Sequence, residues 1–439
     1  MGDCLGGFGE KMCKKRVLIF PCGSEIGLEV NRALANDIHF EMFGASSLPD
    51  HGKFVFKNYI EGVPFVDSDN FVSYLVKVCE DYKIDFIVPS HDSVVLKLAQ
   101  NADKFCNVKI LTSPVVTCEI ARSKKKTYEV LKNEILTPLT YNITDENIVF
   151  PVFIKPDVGQ GSKGAKKVND RQELDLAYKE NNQIVISEFL PNEEYTVDCF
   201  TNKNGDLLFA QGRTRTRISN GIAVNSLPVD DKKFLEIAEK INKVLKFRGM
   251  WFFQLKKNFK GEYCLLELAP RIAGTMGLYR RLGVNFILLA LYDAMGFDVK
   301  ILKNNFALEI DRALYTACKH DIDYNCVYVD FDDTIINSSG VNTDVIKFLY
   351  QAKNENKKIV LLTKHEKNIS ETFEKYSIAP KLFDSVMQIE KSDNKYKYIS
   401  EPKSIFIDDS YSERIEVYKN KNIPVFGVDS IDVLFDILN

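Results

Sequence analysis

The chain has 439 residues, 45 % hydrophobic and 27 % charged, an ordinary globular balance with room for about two to four domains. A formal net charge of −3 at pH 7 implies neither a nucleic-acid footprint nor a polybasic membrane surface. The ten cysteines form no CxxC pair and no ligand-spaced cluster, and no apolar run reaches the length of a membrane span, so a reduced, cytoplasmic setting is expected.

In chain order, MGDCLGGFGEKMCKKR lacks an apolar signal core, and residues 1–15 read as a loose tail. Gly6 stands where a myristoylation signal wants Ser or Thr, which argues against lipidation. KRVLIFPCG then reads as a strand, SEIGLEVNRALAN as a helix and HFEMFGAS as a strand. FVSYLVKVCEDYK follows as a helix and DFIVPSH as a short buried strand. Such alternation predicts a parallel sheet with helices on its faces over residues 16–118.

From residue 120 the texture changes. A Lys-rich helix (ARSKKKTYEVLKNE) leads to the strands FPVFIKP, IVISEFL, YTVDCF and LLFAQGRTRT, then to a helix over 231–246. MWFFQLKKN and YCLLELAP pair across FKGE, and this second domain runs over 119–318. KHDIDYN (319–325) reads as a linker to a third strand–helix alternation over 326–439. The expected whole is three α/β units.

In FIKPDVGQGSKGAKKV, Lys155 ends a strand and is followed by Gly159, Gly161, Ser162 and Gly164. Small residues let backbone amides approach an anion, and the lysine adds charge. A glycine-rich hairpin turn is the plainer alternative. Further on come Glu188, Glu194, and Gln254 with Glu267 in one hairpin, then Arg271, whose fork of donors suits a phosphate.

Lysine, glycine loop, paired acids and arginine in this order resemble the ATP-grasp superfamily, in its carbamoyl-phosphate-synthase-like branch of carboxylate ligases, over roughly 16–318. The resemblance implies a pre-ATP-grasp parallel sheet domain followed by an α+β ATP-grasp domain. It makes Lys124 (with Lys125 or Lys126 as alternatives) and Lys155 ATP-binding lysines, and 159–164 the lid over the triphosphate. Glu188 would lie by the adenine, Glu194 would take the ribose hydroxyls, and Gln254 and Glu267 would bind Mg2+. Arg271 would meet the transferring phosphate, and Arg213, Arg215 and Arg217 an anionic substrate, although alternating arginines on a strand are also a common solvated face. One departure matters: LELAPR carries Ala269 where the family has a metal-binding asparagine, and a water can replace the missing ligand because magnesium keeps several waters.

In the third unit, VYVDFDDTIIN delivers Asp330, Asp332, Asp333 and Thr334 to a strand end, where like charges repel unless a cation or proton holds them. IVLLTK ends a second strand at Thr363, a lysine group (Lys391, Lys395, Lys397) follows, and IFIDDS places Asp408 and Asp409 at a third strand end. These elements resemble the haloacid dehalogenase (HAD) superfamily. The resemblance implies a Rossmann-like domain with Asp330 as nucleophile, Asp332 as acid/base, and Thr363 with Lys391 or Lys395 on the phosphoryl oxygens. Mg2+ would bind Asp330, the carbonyl of Asp332, and Asp409 with Asp408 assisting. Asp333 reads as a helix-start acid. The short gaps between Thr334, Thr363 and Lys391 leave no room for a cap domain.

The expected function is therefore bifunctional: an ATP-dependent carboxylate–amine ligase working through an acyl phosphate, fused to a Mg2+-dependent phosphatase working through an aspartyl phosphate. Its expected partners are a small carboxylate, an amine and a phosphorylated small molecule, not nucleic acid or membrane; a homodimer is one option for its assembly. A small-molecule kinase and a nucleotide-binding regulator with a degenerate ligase site are the alternatives.

Overall fold

The computed structural model describes residues 14–435 apart from 36, 160, 162, 220, 314–317 and 319. They divide between 314 and 315 into two compact units.

Unit 1 begins with β1 (Lys15–Phe20), β2 (Phe40–Ser46), β3 (Asn58–Glu61), β4 (Phe86–Pro89) and β5 (Lys109–Ile110), all paired parallel in the order β3-β2-β1-β4-β5. The crossovers carry α1 (Glu25–Leu34), α2 (Phe71–Asp81) and α3 (Asp92–Ala99). Both faces of β1 are covered: Val17 and Ile19 pack with Val30 and Leu34 of α1, Leu18 and Phe20 with Phe71 and Leu75 of α2. That is why the strand reads as the continuous apolar run VLIF rather than alternating. The chain leaves β1 in both directions, so a crevice opens above the ends of β1 and β4. There the hydroxyls of Ser24 and Ser90 meet at 3.2 Å. Ser24 also caps α1 by accepting from Gly27 N, and His91 caps α3 by accepting from Ser93 N.

Two helices, α4 (Val115–Arg122) and α5 (Lys124–Leu131), then meet at Ser123. An antiparallel sheet follows from β6 (Thr140–Tyr141), β7 (Val152–Pro156), β8 (Lys166–Val168) and, after α6 (Arg171–Glu180), β9 (Ile184–Glu188), in the order β6-β9-β7-β8. The chain continues through β10 (Glu194–Thr201), β11 (Leu207–Thr214), β12 (Arg217–Ser219), β13 (Ile222–Ser226), β14 (Pro228–Val229), α7 (Lys232–Leu245), β15 (Gly249–Lys257) and β16 (Tyr263–Ala269). Finally come α8 (Gly277–Arg281), α9 (Phe286–Ala294) and β17 (Ile310–Asp311). The larger sheet runs β14-β11-β10-β15-β16 and a smaller one β12-β13-β17.

Alternation along β10 and β15 sets up the site. Val197, Cys199, Trp251, Phe253 and Leu255 pack against Phe234, Ala238 and Ile241 of α7, so the intervening residues face the other way. Val17, Ile19 and Phe40 of the first sheet share one core with Phe200, Met250, Phe252 and Tyr279. The stretches 16–118 and 119–313 are thus fastened by common apolar packing within a single unit.

Unit 2 holds β18 (Cys326–Val329), a small hairpin of β19 (Ile336–Asn337) and β20 (Gly340–Val341), α10 (Thr343–Asn354), β21 (Lys358–Thr363), α11 (Ile369–Lys375), β22 (Ser385–Gln388), β23 (Ser404–Ile407), α12 (Tyr411–Lys421) and β24 (Val425–Phe426). Its parallel sheet runs β22-β21-β18-β23-β24. Between Thr334 and Thr363 lie only the hairpin, α10 and their turns. Asp333 corrects one expectation: it stands in the left-handed region (φ 57°), in a turn before the hairpin, and starts no helix. A residue without a Cβ would adopt that turn at less cost. Among the described residues no helix is long and apolar enough to cross a membrane.

Candidate active sites

In unit 1 the strand register draws one row across four strands. Arg213 on β11 pairs with Thr196 on β10, Thr196 with Gln254 on β15, and Gln254 with Glu267 on β16. The next row carries Gln211, Asp198, Phe252 and Ala269. Ala269 is buried in the shared core, so the position that lacks an oxygen donor is filled by apolar packing.

Lys155 reaches the same place from β7. Its Nζ donates to Leu266 O at 2.9 Å and lies 5.4 Å from the Tyr128 ring centre, while Tyr128 Oη donates to the same carbonyl at 2.7 Å. Burial pushes the Lys155 ammonium down to about 8, with the charge of Glu267 opposing the fall. Lys124, also buried, donates to Asp157 O at 3.3 Å, whereas Lys125 and Lys126 are exposed. Ser123 donates to the Asp157 carboxylate, which also accepts from Lys125 N at 2.8 Å. The glycine-rich loop is therefore pinned at its base to the start of α5. Arg122 pins it a second time, donating from Nη1 to Gly159 O and from Nη2 to Ser93 Oγ, each at 3.1 Å. Gly161 and Gly164 both take positive φ, as the tight loop requires. Ser162 lies outside the described residues.

One cavity, of about 160 Å³, is lined by Lys124, Lys155, Gly161, Glu188, Glu194, Arg215, Gln254 and Glu267. A second, of about 60 Å³, is bounded by Asp92, Arg122, Lys124 and Arg271. A third, of about 260 Å³, is lined by Ser24, Ser90, His91, Thr196, Arg213, Ile222 and Phe252. Glu267 and Gly161 border all three. Within the first, Glu188 accepts from Leu139 N at 2.9 Å, and Glu194 is paired with Arg215 at 2.6 Å.

Arg213 is fully buried and grips Asp198 with Nε (2.7 Å) and Nη2 (3.2 Å). Burial raises the Asp198 carboxyl above its usual range, against the pull of Arg213. The remaining Nη1 and the neighbouring Thr196 Oγ1 are buried without a protein partner. Both residues line the third cavity, so two hydrogen-bonding atoms are left to a ligand there. Arg271 is engaged differently from expectation: Asp92 holds its Nε and Nη2 at 2.6 and 2.8 Å. Arg217 is exposed, paired with Asp311, and lines none of these cavities.

In unit 2, β18, β21 and β23 bring Asp330, Thr363 and Asp408 to the same edge of the sheet. Lys395 bridges two of the acids, with Nζ 2.5 Å from Asp330 Oδ1 and 2.6 Å from Asp408 Oδ2. Burial lifts both carboxyls, Asp408 to about 7, where the Asp330 charge adds to the rise and Lys395 opposes it. Burial also works against the Lys395 ammonium, but the two carboxylates outweigh it and its pKa is raised. Thr334 accepts from Asp409 N at 2.9 Å, and the carboxylates of Asp330, Asp408 and Asp409 offer oxygens within 4.8 Å of one another. That is a hard-oxygen donor set of the kind magnesium takes.

The two lysine candidates separate cleanly. Lys395 belongs to the acid cluster; Lys391 is exposed, with Glu366 3.3 Å away. Lys391 projects from an exposed turn after β22, whereas a short helical turn buries Lys395 beneath the strand ends. Thr363 is fully buried, and its Oγ1 accepts from His365 N.

Sequence reasoning missed His365, whose Nδ1 stands 2.9 Å from both carboxylate oxygens of Asp332. The only signal was a histidine two residues past a strand-end threonine in a chain with five histidines. Also missed were Arg122 and the role of Asp92, since pairing partners this distant in sequence leave no local pattern.

Residues 180–311 match the model of a family described as "ATP-grasp in the biosynthetic pathway with Ter operon". A carbamoyl phosphate synthase large chain from Clostridium botulinum is 24 % identical over 255 residues, covering 51 % of this chain and 24 % of its own. The chain thus spans about a quarter of that relative's length. A D-alanine–D-alanine ligase from Fusobacterium nucleatum is 26 % identical over 200 residues, covering 42 % of this chain and 68 % of its own. Among solved structures, an L-amino acid ligase from Bacillus licheniformis superposes with a TM-score of 0.53 at 19 % identity, over 65 % of this chain and 75 % of its own. A biotin carboxylase–beta-gamma-ATP complex from Campylobacter jejuni gives 0.56 at 15 % identity, over 66 % and 73 %. Structural likeness at such identities carries the fold alone.

Proposed function

We propose that the chain, whose unit 1 has the ATP-grasp fold, is an ATP-dependent carboxylate–amine ligase fused to a phosphomonoesterase. The observation that carries the ligase reading is the junction at Glu267: a cavity lined by two buried lysines meets, at that carboxylate, a cavity with an orphaned guanidinium nitrogen and hydroxyl. The first suits a nucleoside triphosphate and the second a small carboxylate. Lys124 and Lys155 would meet phosphate oxygens, the pinned glycine loop would cover them, and Glu188 and Glu194 would face the nucleoside. Arg213, with Thr196, would orient the carboxylate, and Arg215 and Arg271 would border the reacting groups.

A carboxylate oxygen then attacks the γ-phosphorus and ADP leaves. The amine nitrogen of the second substrate attacks the resulting acyl carbon, phosphate departs and the nitrogen loses a proton. The protein contributes position and preorganised charge. Gln254 and Glu267, cross-strand neighbours with oxygen donors, fit magnesium, though Ala269 supplies no third ligand.

For unit 2 the acid cluster at the sheet edge supports the HAD-like reading: a nucleophile whose repulsions are balanced by Lys395. Asp330 attacks the phosphorus of a monoester and Asp332 gives a proton to the departing alkoxide. Water then attacks the phosphorus of the aspartyl phosphate as Asp332 takes one of its protons; the bond from phosphorus to Asp330 breaks, restoring that carboxylate, and inorganic phosphate leaves. Asp330, Asp408 and Asp409 would hold magnesium, which at either site supplies neutralisation of phosphate charge. A tethered phosphatase suits a ligase whose substrate or product carries a phosphate.

The test is phosphorus NMR of the Asp330→Asn protein with ATP, magnesium and pooled carboxylates and amines. ADP and phosphate formed only with a particular pair support the ligase; a phosphorylated substrate without phosphate release indicates a kinase instead. ATP bound tightly and left intact across a broad pool favours the regulator. Lys155→Ala is expected to abolish ATP use and spare ester hydrolysis, and Asp330→Asn the reverse.

A further inference from the structure

We propose that His365 is the positioning residue of the second site: it fixes the carboxylate of Asp332 for proton exchange with the leaving group and the attacking water. The inference rests on the acid/base reading of Asp332 above.

The imidazole is buried and cannot swing. Its backbone N–H is bonded to Thr363 Oγ1 at 3.1 Å, and its ring stands edge-on to Phe331 with centroids 5.3 Å apart. Nε2 lies 3.0 Å from Thr372 Oγ1. Thr372 gives its one hydroxyl proton to Asn368 O, also at 3.0 Å, and so accepts from Nε2–H. Nδ1 is left to face Asp332, equidistant at 2.9 Å from both oxygens. With Nε2–H committed to Thr372, Nδ1 bonds the ionised carboxylate as the N–H of an imidazolium, reaching both oxygens and so setting the plane of the carboxylate. It accepts from the carboxyl when the proton sits on Asp332.

A buried ring kept only for packing would be satisfied by neighbours within the core. This one directs its second nitrogen out of the core, to a carboxylate that is 48 % exposed and two residues from Asp330. Without it, Asp332 is free to turn into solvent. The chain Asn368–Thr372–His365–Asp332 is thus a relay of fixed hydrogen bonds from the start of α11 to the reacting edge, the arrangement by which a base is oriented through a third group.

Two conservative replacements separate the two nitrogens. Asn places an amide where Nδ1 stands and keeps the Asp332 contact; Gln places one where Nε2 stands and keeps Thr372. The full chain would be assayed with p-nitrophenyl phosphate, whose leaving group needs little protonation, and with benzyl phosphate, whose leaving group needs much. His365→Gln is expected to lose at least about tenfold more kcat on benzyl phosphate than on p-nitrophenyl phosphate, part of the roughly 10²–10⁴-fold available to acid–base catalysis. His365→Asn should stay within about threefold of the natural ratio on that scale. Asp332→Asn, as control, should show the same selective loss as His365→Gln.

Equal losses on both esters from His365→Gln, or His365→Asn impaired as selectively as His365→Gln, overturn the positioning role while a selective Asp332→Asn leaves the acid/base reading standing. An unselective Asp332→Asn removes that reading and the proposal with it.

Discussion

Asp92 and Arg271, 179 residues apart, meet in a two-pronged ion pair that joins the end of the parallel sheet to the residue two past β16. Burial alone would raise the Asp92 carboxyl; the Arg271 guanidinium overturns that and holds it below 3.8. A depressed carboxyl contributes stability that is complete above its unfolded value and is lost as pH falls through its folded one. Asp92→Asn is therefore expected to cost about 3–5 kcal/mol near neutrality, since it strands a largely buried cation. Calorimetric melts should show the deficit shrinking below pH 3.8, where the natural carboxyl protonates in its turn. A deficit that does not change with pH would count against the pair.

Lys155 gives the same direction of pH dependence in a different window and from a different cause, a buried cation whose cost is relieved as it loses its proton. Its folded value, about 8, lies below the 10.5 of an exposed lysine, so from about 8 to 10.5 the unfolded chain binds more protons and stability of the nucleotide-free protein rises with pH. ATP needs the ammonium, and its affinity should fall by up to about tenfold per pH unit above that value. Titration calorimetry in two buffers of different ionisation heat would register proton uptake on binding in that range. Uptake unchanged in Lys155→Met would assign the proton elsewhere.

Lys395→Met should cut ester hydrolysis by at least about 100-fold, because it leaves Asp330 and Asp408 facing one another without their bridging cation. Lys391→Met, which removes an exposed pair, should stay within about twofold. Steady-state rates with p-nitrophenyl phosphate distinguish the two; the reverse order would reassign the lysine.

Arg213→Lys keeps a charge and loses the fork. One ammonium cannot hold both oxygens of Asp198 and also reach the cavity. The expected result is a rise of about tenfold or more in KM for the carboxylate substrate, with ATP affinity unchanged. Substrate titration of ATP turnover would reveal it, and equal losses for both ligands would point to a distorted sheet instead.

The parts legible in the sequence were those written in local pattern. Doubly buried strands such as VLIF and CVYV announced themselves as apolar runs, and the hairpin placing Gln254 beside Glu267 followed from two runs flanking a tight turn. The strand-end motif gave Asp330 and Asp332 because a parallel sheet offers its chemistry at that edge. Arg271 was legible as a residue but not as half of a pair, since Asp92 arrives from a different sheet. Lys391 and Lys395 looked alike because four residues apart in a polar segment either side chain can face inward; the short turn at 395–398 decided it. His365 was hidden for the same reason: its meaning is a distance to Asp332, and distances between loops are not spelled in either loop.

The two parallel sheets share a spatial plan, in each case third, second, first, fourth, fifth in order along its own stretch of chain. In unit 2 the loops leaving the central strands carry the acids that would do chemistry. In unit 1 the corresponding loops hold Ser24, Ser90 and Asp92, which cap helices, bind one another and brace an arginine of the neighbouring sheet. Under the functions proposed above, one architecture would serve as reactor in one place and, at Asp92, as abutment in the other. Grafting foreign loops onto the opposite edges of both sheets should be tolerated, while the same grafts at these edges should silence each half by different means: lost nucleophiles in one, a lost foothold for Arg271 in the other.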